Sequence, residues 1–183
     1  MIITDLDQHK AGNVPVEADY PGNVRTFYSP QDNVHGALKA CIGAVTKSLV
    51  LAMYGYDDDE LAAMIDHLLQ DPNIYVQITL DSSQAGGVHE RALLEKYKHE
   101  MTGNSVAVGR SERGAIMHRK MAIVDGTYRL SGSTNWSTSG ESLQDNELTV
   151  IQSTAACVEA RHILDIEHNS VLKKQLARAT ATP

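Results

Sequence analysis

The stretch Ile116–Asn135, IMHRKMAIVDGTYRLSGSTN, decides how this chain is read. Its first half, Ile116–Asp125, is mostly apolar and suits an interior β-strand, yet His118, Arg119 and Lys120 stand inside it. Gly126-Thr127 reads as a turn, and the following YRLSGS as the returning strand of a hairpin. Side chains alternate faces along a strand, so His118 and Lys120 project together and Arg119 projects to the other face. An antiparallel return brings Ser133 and Asn135 toward the His118 end. An imidazole beside an ammonium avoids a second positive charge, and a neutral imidazole is a nucleophile. A fixed cation beside it can hold an anion in place. The hydroxyl of Ser133 and the amide of Asn135 are neutral donors for phosphate oxygens. This combination points to phosphoryl chemistry.

Working outward, Val24–Pro30 reads as a strand closed by proline. A helix follows from Asn33, with Asp32 as its cap and Val34, Leu38, Cys41, Ile42 and Val45 as its apolar stripe. Leu49–Tyr56 is a short apolar run, the pattern of a central strand covered on both faces. Asp57, Asp58 and Asp59 open a second helix whose stripe is Leu61, Met64, Ile65, Leu68 and Leu69. Ile74–Asp81 is a strand, GGVHERALLEKYKHEM a helix, and SVAVG another strand. Glu147–Ser153 is a further strand, and a long helix spans about Thr154–Arg178. The early β–α–β–α–β alternation followed by a hairpin predicts an α/β fold, a mixed β-sheet flanked by helices on both faces. Residues 1–23 read as an irregular N-terminal arm and residues 24–183 as a single domain.

The 183 residues carry a net charge of −7, which disfavours tight, extended nucleic-acid binding. Charge is uneven, however. Arg110, Arg113, Arg119, Lys120 and Arg129 face only Glu112 and Asp125 between positions 110 and 129, so the hairpin lies in a basic island. Cys41 and Cys157 are far apart and read as buried thiols. The N-terminus lacks a basic start followed by an apolar run, and no apolar run nears the ~18 residues of a membrane span. A cytoplasmic protein is the expectation, although a chain trimmed of a leader would read the same.

His118-x-Lys120, four residues, Asp125, six residues, then Gly132-Ser133-x-Asn135 resembles the signature of the phospholipase D superfamily at every spacing. The resemblance implies a phospholipase D-like domain and a phosphodiesterase that needs neither metal nor cofactor. Members with two such motifs face them toward each other; this chain carries one, and no second H-x-K occurs. Single-motif members form homodimers with the site at the interface, and a two-fold axis duplicates every residue. By that resemblance His118 serves as nucleophile in one subunit and as general acid and base in the other. Lys120, Ser133 and Asn135 hold the phosphate. Glu147 corresponds to an acidic residue that orients a catalytic histidine. Asp125 belongs to the signature, but at a strand end it can equally cap a turn.

Arg119, Arg110 and Arg113 are candidate contacts to a nucleic-acid backbone, and Trp136 a candidate base-stacking residue. Tyr54 and Tyr56 end a central strand, where sites often lie. His162 and His168, six apart, and His89 and His99, ten apart, lack the i, i+4 spacing of a zinc helix and read as surface residues. The compact single-motif relatives point to a nuclease acting on nucleic acid. Phospholipid headgroup hydrolysis is the alternative, and a non-catalytic nucleic-acid-binding module the second.

Overall fold

A computed structural model describes residues 1–12, 16–83 and 104–181. The elements are β1 (Val24–Ser29), α1 (Val34–Gly43), β2 (Ser48–Met53), β3 (Tyr56–Asp57), α2 (Asp59–Gln70), β4 (Tyr75–Asp81), β5 (Ser105–Gly109), β6 (Lys120–Val124), β7 (Tyr128–Gly132), β8 (Trp136–Ser137), α3 (Thr138–Ser142), β9 (Asn146–Gln152) and α4 (Thr154–Ala181). The expected helix over GGVHERALLEKYKHEM lies outside the described residues.

Seven strands form one sheet in the order β1-β9-β7-β6-β2-β4-β5. β2, β4 and β5 run parallel, while β2–β6, β6–β7, β7–β9 and β9–β1 are antiparallel, so the sheet is mixed as expected. The apolar run in β2 explains its central place. Leu49, Leu51 and Met53 join the main core with α1 and α2, and Val50 and Ala52 join a second cluster with Cys157, Ala160 and Leu164 of α4. Both faces of the strand are therefore buried under helices. Each fully buried leucine contributes roughly 2 kcal/mol of transfer free energy. Cys41 and Cys157 are buried free thiols.

Three expectations need correction. Residues 1–23 are not wholly irregular: Ile3–His9 forms a 3-10 helix whose Ile3 and Leu6 enter the main core. Asn33, not Asp32, caps α1 by accepting from Gly36 N, because the Asp32 carboxylate is already taken by Lys10 Nζ, Ala11 N and Tyr28 N. His168 is not a surface residue. It lies buried between α4 and the sheet, with Nδ1 2.9 Å from Thr79 Oγ1 and Nε2 2.7 Å from Ser105 Oγ. Desolvation lowers its pKa, so it sits there as neutral imidazole.

The strand directions bring several chain ends to one edge. The carboxyl ends of β2, β4 and β7 and the amino ends of β6 and β9 all lie there: Met53 pairs with Lys120, and Gly132 with Leu148. Sites in open α/β sheets form at such carboxyl ends.

Candidate active site

β6 begins at Lys120, so His118 precedes the strand rather than lying within it. The expected strand over Ile116–Asp125 is shortened by four residues at its start. The alternation nevertheless persists. His118 and Lys120 share one side, with Lys120 Nζ 2.9 Å from His118 Nε2. Lys120 is buried and His118 is exposed. The ammonium can only donate, so Nε2 accepts and the ring proton resides on Nδ1. Desolvation lowers the pKa of Lys120 from its ordinary value.

Tyr54, just past the end of β2, completes this arrangement. Its ring lies 4.6 Å from the His118 ring, tilted by 59°, and Lys120 Nζ stands 4.8 Å over its face. Tyr54 N donates to Arg119 O at 2.8 Å, which ties the two chain segments together. Asp81 was not singled out in the sequence. Its buried carboxylate accepts from Met117 N at 2.5 Å and from Ser83 N at 2.8 Å, which anchors the segment directly before His118. The only sequence signal for it was its place at the carboxyl end of a parallel strand.

The hairpin return places Ser133 and Asn135 at the same edge. Continuing the β6–β7 register, in which Met121 pairs with Ser131, sets Ser133 opposite Arg119. Asn135 Oδ1 accepts from Gly55 N at 3.2 Å, beside Tyr54. Ser133 Oγ donates to Asn146 Oδ1 at 2.9 Å and accepts from Glu147 N at 3.0 Å. Gly132 is required by packing: a Cβ there would stand 2.1 Å from Glu147 O.

Other candidates are placed differently. Asp125 lies at the far end of β6 and does not reach His118. Its carboxylate receives Thr46 N, Thr46 Oγ1, Lys47 N and Ser48 N, clamping the entry to β2. The turn centres on Asp125-Gly126, one residue earlier than expected, and both have positive φ, 52° and 63°. Arg119 is exposed and its guanidinium forms a bidentate pair with Glu167 of α4, so a substrate phosphate would compete with that carboxylate for it. Trp136 is not a stacking platform. It is 2% exposed and pairs with Tyr56 in the small β3–β8 sheet. Tyr56 is likewise buried in the core. Glu147 has an exposed side chain at a shallow depression of about 320 Å³ that it shares with Tyr28 and Ser133, and its carbonyl receives Ser133 N and Thr134 N. Its carboxylate does not orient His118 within the chain.

A larger groove, about 600 Å³, runs from His118 between the Ser111–Arg119 segment and α4. Arg113 and Glu167 line it together with Ile116, Ile163 and Ile166, three isoleucines that are 40–51% exposed. Arg110 lies outside that groove and donates to Gly114 O at 3.4 Å.

The family described as cardiolipin synthase, PLD-like domain, matches residues 38–166, which include the whole signature. The chain belongs to the phospholipase D superfamily. Within that superfamily, it is 26% identical over 111 residues to the mitochondrial cardiolipin hydrolase of Chlamydomonas reinhardtii, a match covering 60% of this chain and 46% of that protein. The matched segment thus spans less than half of this curated relative. Among solved structures, NucT from Helicobacter pylori superposes with a TM-score of 0.68 at 20% identity, covering 80% of this chain and 96% of that one. Nuc from Salmonella typhimurium, a phospholipase D family member, gives 0.66 at 18% identity, covering 80% and 94%. At these identities the two structures establish the phospholipase D-like fold.

Proposed function

We propose that this protein is a metal-independent phosphodiesterase that hydrolyses nucleic acid at a site shared by two copies of the chain. One observation carries the reading: Lys120 Nζ holds His118 Nε2 at 2.9 Å on the sheet edge that also carries Ser133 and Asn135. A substrate phosphate draws Lys120 onto its own oxygens and releases the Nε2 lone pair. Nε2 then attacks phosphorus, and the P–O bond to the leaving group breaks. The leaving oxygen takes the Nε2 proton of the partner subunit's His118, which enters the step as imidazolium and leaves it as neutral imidazole. That imidazole next removes a proton from water, the water oxygen attacks phosphorus, and the P–N bond breaks to restore His118. Lys120, Ser133 and Asn135 stabilise charge on the phosphoryl oxygens. Glu147, exposed beside Ser133, fits the orienting role toward His118 of the partner subunit better than toward its own.

The basic island and the likeness to NucT and Nuc favour nucleic acid. The isoleucine-lined groove beside His118 and the likeness to a cardiolipin hydrolase favour a second reading, a phospholipid substrate. Plasmid DNA, single-stranded DNA, RNA and cardiolipin vesicles, offered in parallel with EDTA well below the melting temperature, separate these readings. Cleavage of nucleic acid by the wild type and none by His118→Ala is expected. Turnover of lipid alone selects the second reading. Binding without turnover leaves a nucleic-acid-binding module.

A further inference from the structure

Three side chains from three helices meet apart from the His118–Lys120 pair. His35 lies in the first turn of α1, Asp58 caps α2, and Glu141 lies in α3. One ligating atom of each falls within 4.8 Å of the others. His35 Nδ1 stands 2.6 Å from Glu141 Oε2 and 3.2 Å from Asp58 Oδ2. Glu141 is 2% exposed and Asp58 5%.

The cluster is under-neutralised. A protonated His35 balances one of its two buried carboxylates. Glu60, 3.4 Å from His35 Nε2, is itself paired with Lys39. Glu141 Oε1 is buried without a hydrogen-bond partner. Asp58 Oδ1 accepts from Leu61 N at 2.7 Å, which turns Oδ2 toward His35. Contacts of this kind commonly orient metal ligands.

We propose that His35, Asp58 and Glu141 form a zinc site that ties three helices together, with water on the half-buried His35 side in the open fourth position. One imidazole and two carboxylates suit this cation. Tetrahedral bonds of about 2.0–2.2 Å set neighbouring donors roughly 3.3 Å apart. The His35–Asp58 pair is already at 3.2 Å. The His35–Glu141 pair opens as the proton between Nδ1 and Oε2 leaves. The ion ties the segment following Ser133 and Asn135 to α1 and α2, and it takes no part in hydrolysis.

The test is calorimetric titration of the EDTA-treated, dialysed full chain with zinc chloride, together with thermal melts. One ion per chain is expected, with a raised melting temperature. His35→Gln and Glu141→Gln should each weaken binding about tenfold or more. Folded variants that bind as tightly as the wild type would overturn the site, as would no saturable binding by the wild type. If a variant fails to fold, anomalous diffraction at the zinc edge of the wild type decides. Density between His35 Nδ1 and Glu141 supports the site, and zinc only elsewhere, such as at His118, overturns it. Neither readout depends on turnover, so the phosphodiesterase reading stands or falls separately.

Discussion

His118 depends on two neighbours that act in different ways. Lys120 supplies charge, and in the proposed mechanism it passes from imidazole to phosphate. Tyr54 supplies a surface that limits how the ring can tilt. Lys120→Met should therefore lower kcat/KM by about a hundredfold or more, the scale of one lost transition-state donor, in single-turnover assays. Tyr54→Phe keeps the ring that packs against His118 and should lower kcat less than Tyr54→Ala does. Tyr54→Ala should lower kcat about tenfold, since small misplacements of a reacting group cost rate; an unchanged kcat would remove Tyr54 from the site. Arg119 belongs to the same scale. Its guanidinium is engaged by Glu167, so Arg119→Ala should change KM less than about twofold and stability by under ~1 kcal/mol, as for other exposed ion pairs.

Between elements, the β6–β7 hairpin is held at both ends. Burial pushes the Asp125 carboxyl up, but hydrogen bonds from Ser48 N, Thr46 and Lys47 N more than offset this and hold it below its ordinary value. A depressed folded pKa stabilises fully above the unfolded value and is lost as pH falls through the folded one. Asp125→Asn should thus destabilise by about 2 kcal/mol at pH 7, and the gap from wild type should narrow below about pH 4. Urea melts from pH 2 to 7 measure both; a pH-independent gap would contradict the clamp. At the other end, Gly132→Ala meets Glu147 O at 2.1 Å. Forcing β7 from β9 should cost roughly 3 kcal/mol or more and disturb the Ser133 contacts with them.

For the whole molecule, the question is how many copies make one site. In the proposed mechanism the nucleophile and the general acid–base are both His118, which one signature per chain supplies only when two subunits meet. Subunit mixing measures this directly. When wild type is equilibrated with His118→Ala chains, activity should fall as the square of the wild-type fraction. A linear fall would mean that each chain works alone.

Strand alternation and residue spacing were enough to determine the α/β class, the helices on both faces, the hairpin, and the side shared by His118 and Lys120. These are local or periodic properties, and the pattern of β2, apolar on both faces, already demanded two layers. Tertiary structure decided what Asp125, Arg119 and Trp136 meet, because each has a partner 48–80 residues away: the Asp125 carboxylate bonds Thr46, the Arg119 guanidinium bonds Glu167, and Trp136, buried, pairs along the backbone with Tyr56. It also revealed Asp81 behind Met117 and the meeting of His35, Asp58 and Glu141, whose separation along the chain leaves no spacing to read. Periodicity reports which way a side chain points; only the packed sheet determines what it meets there.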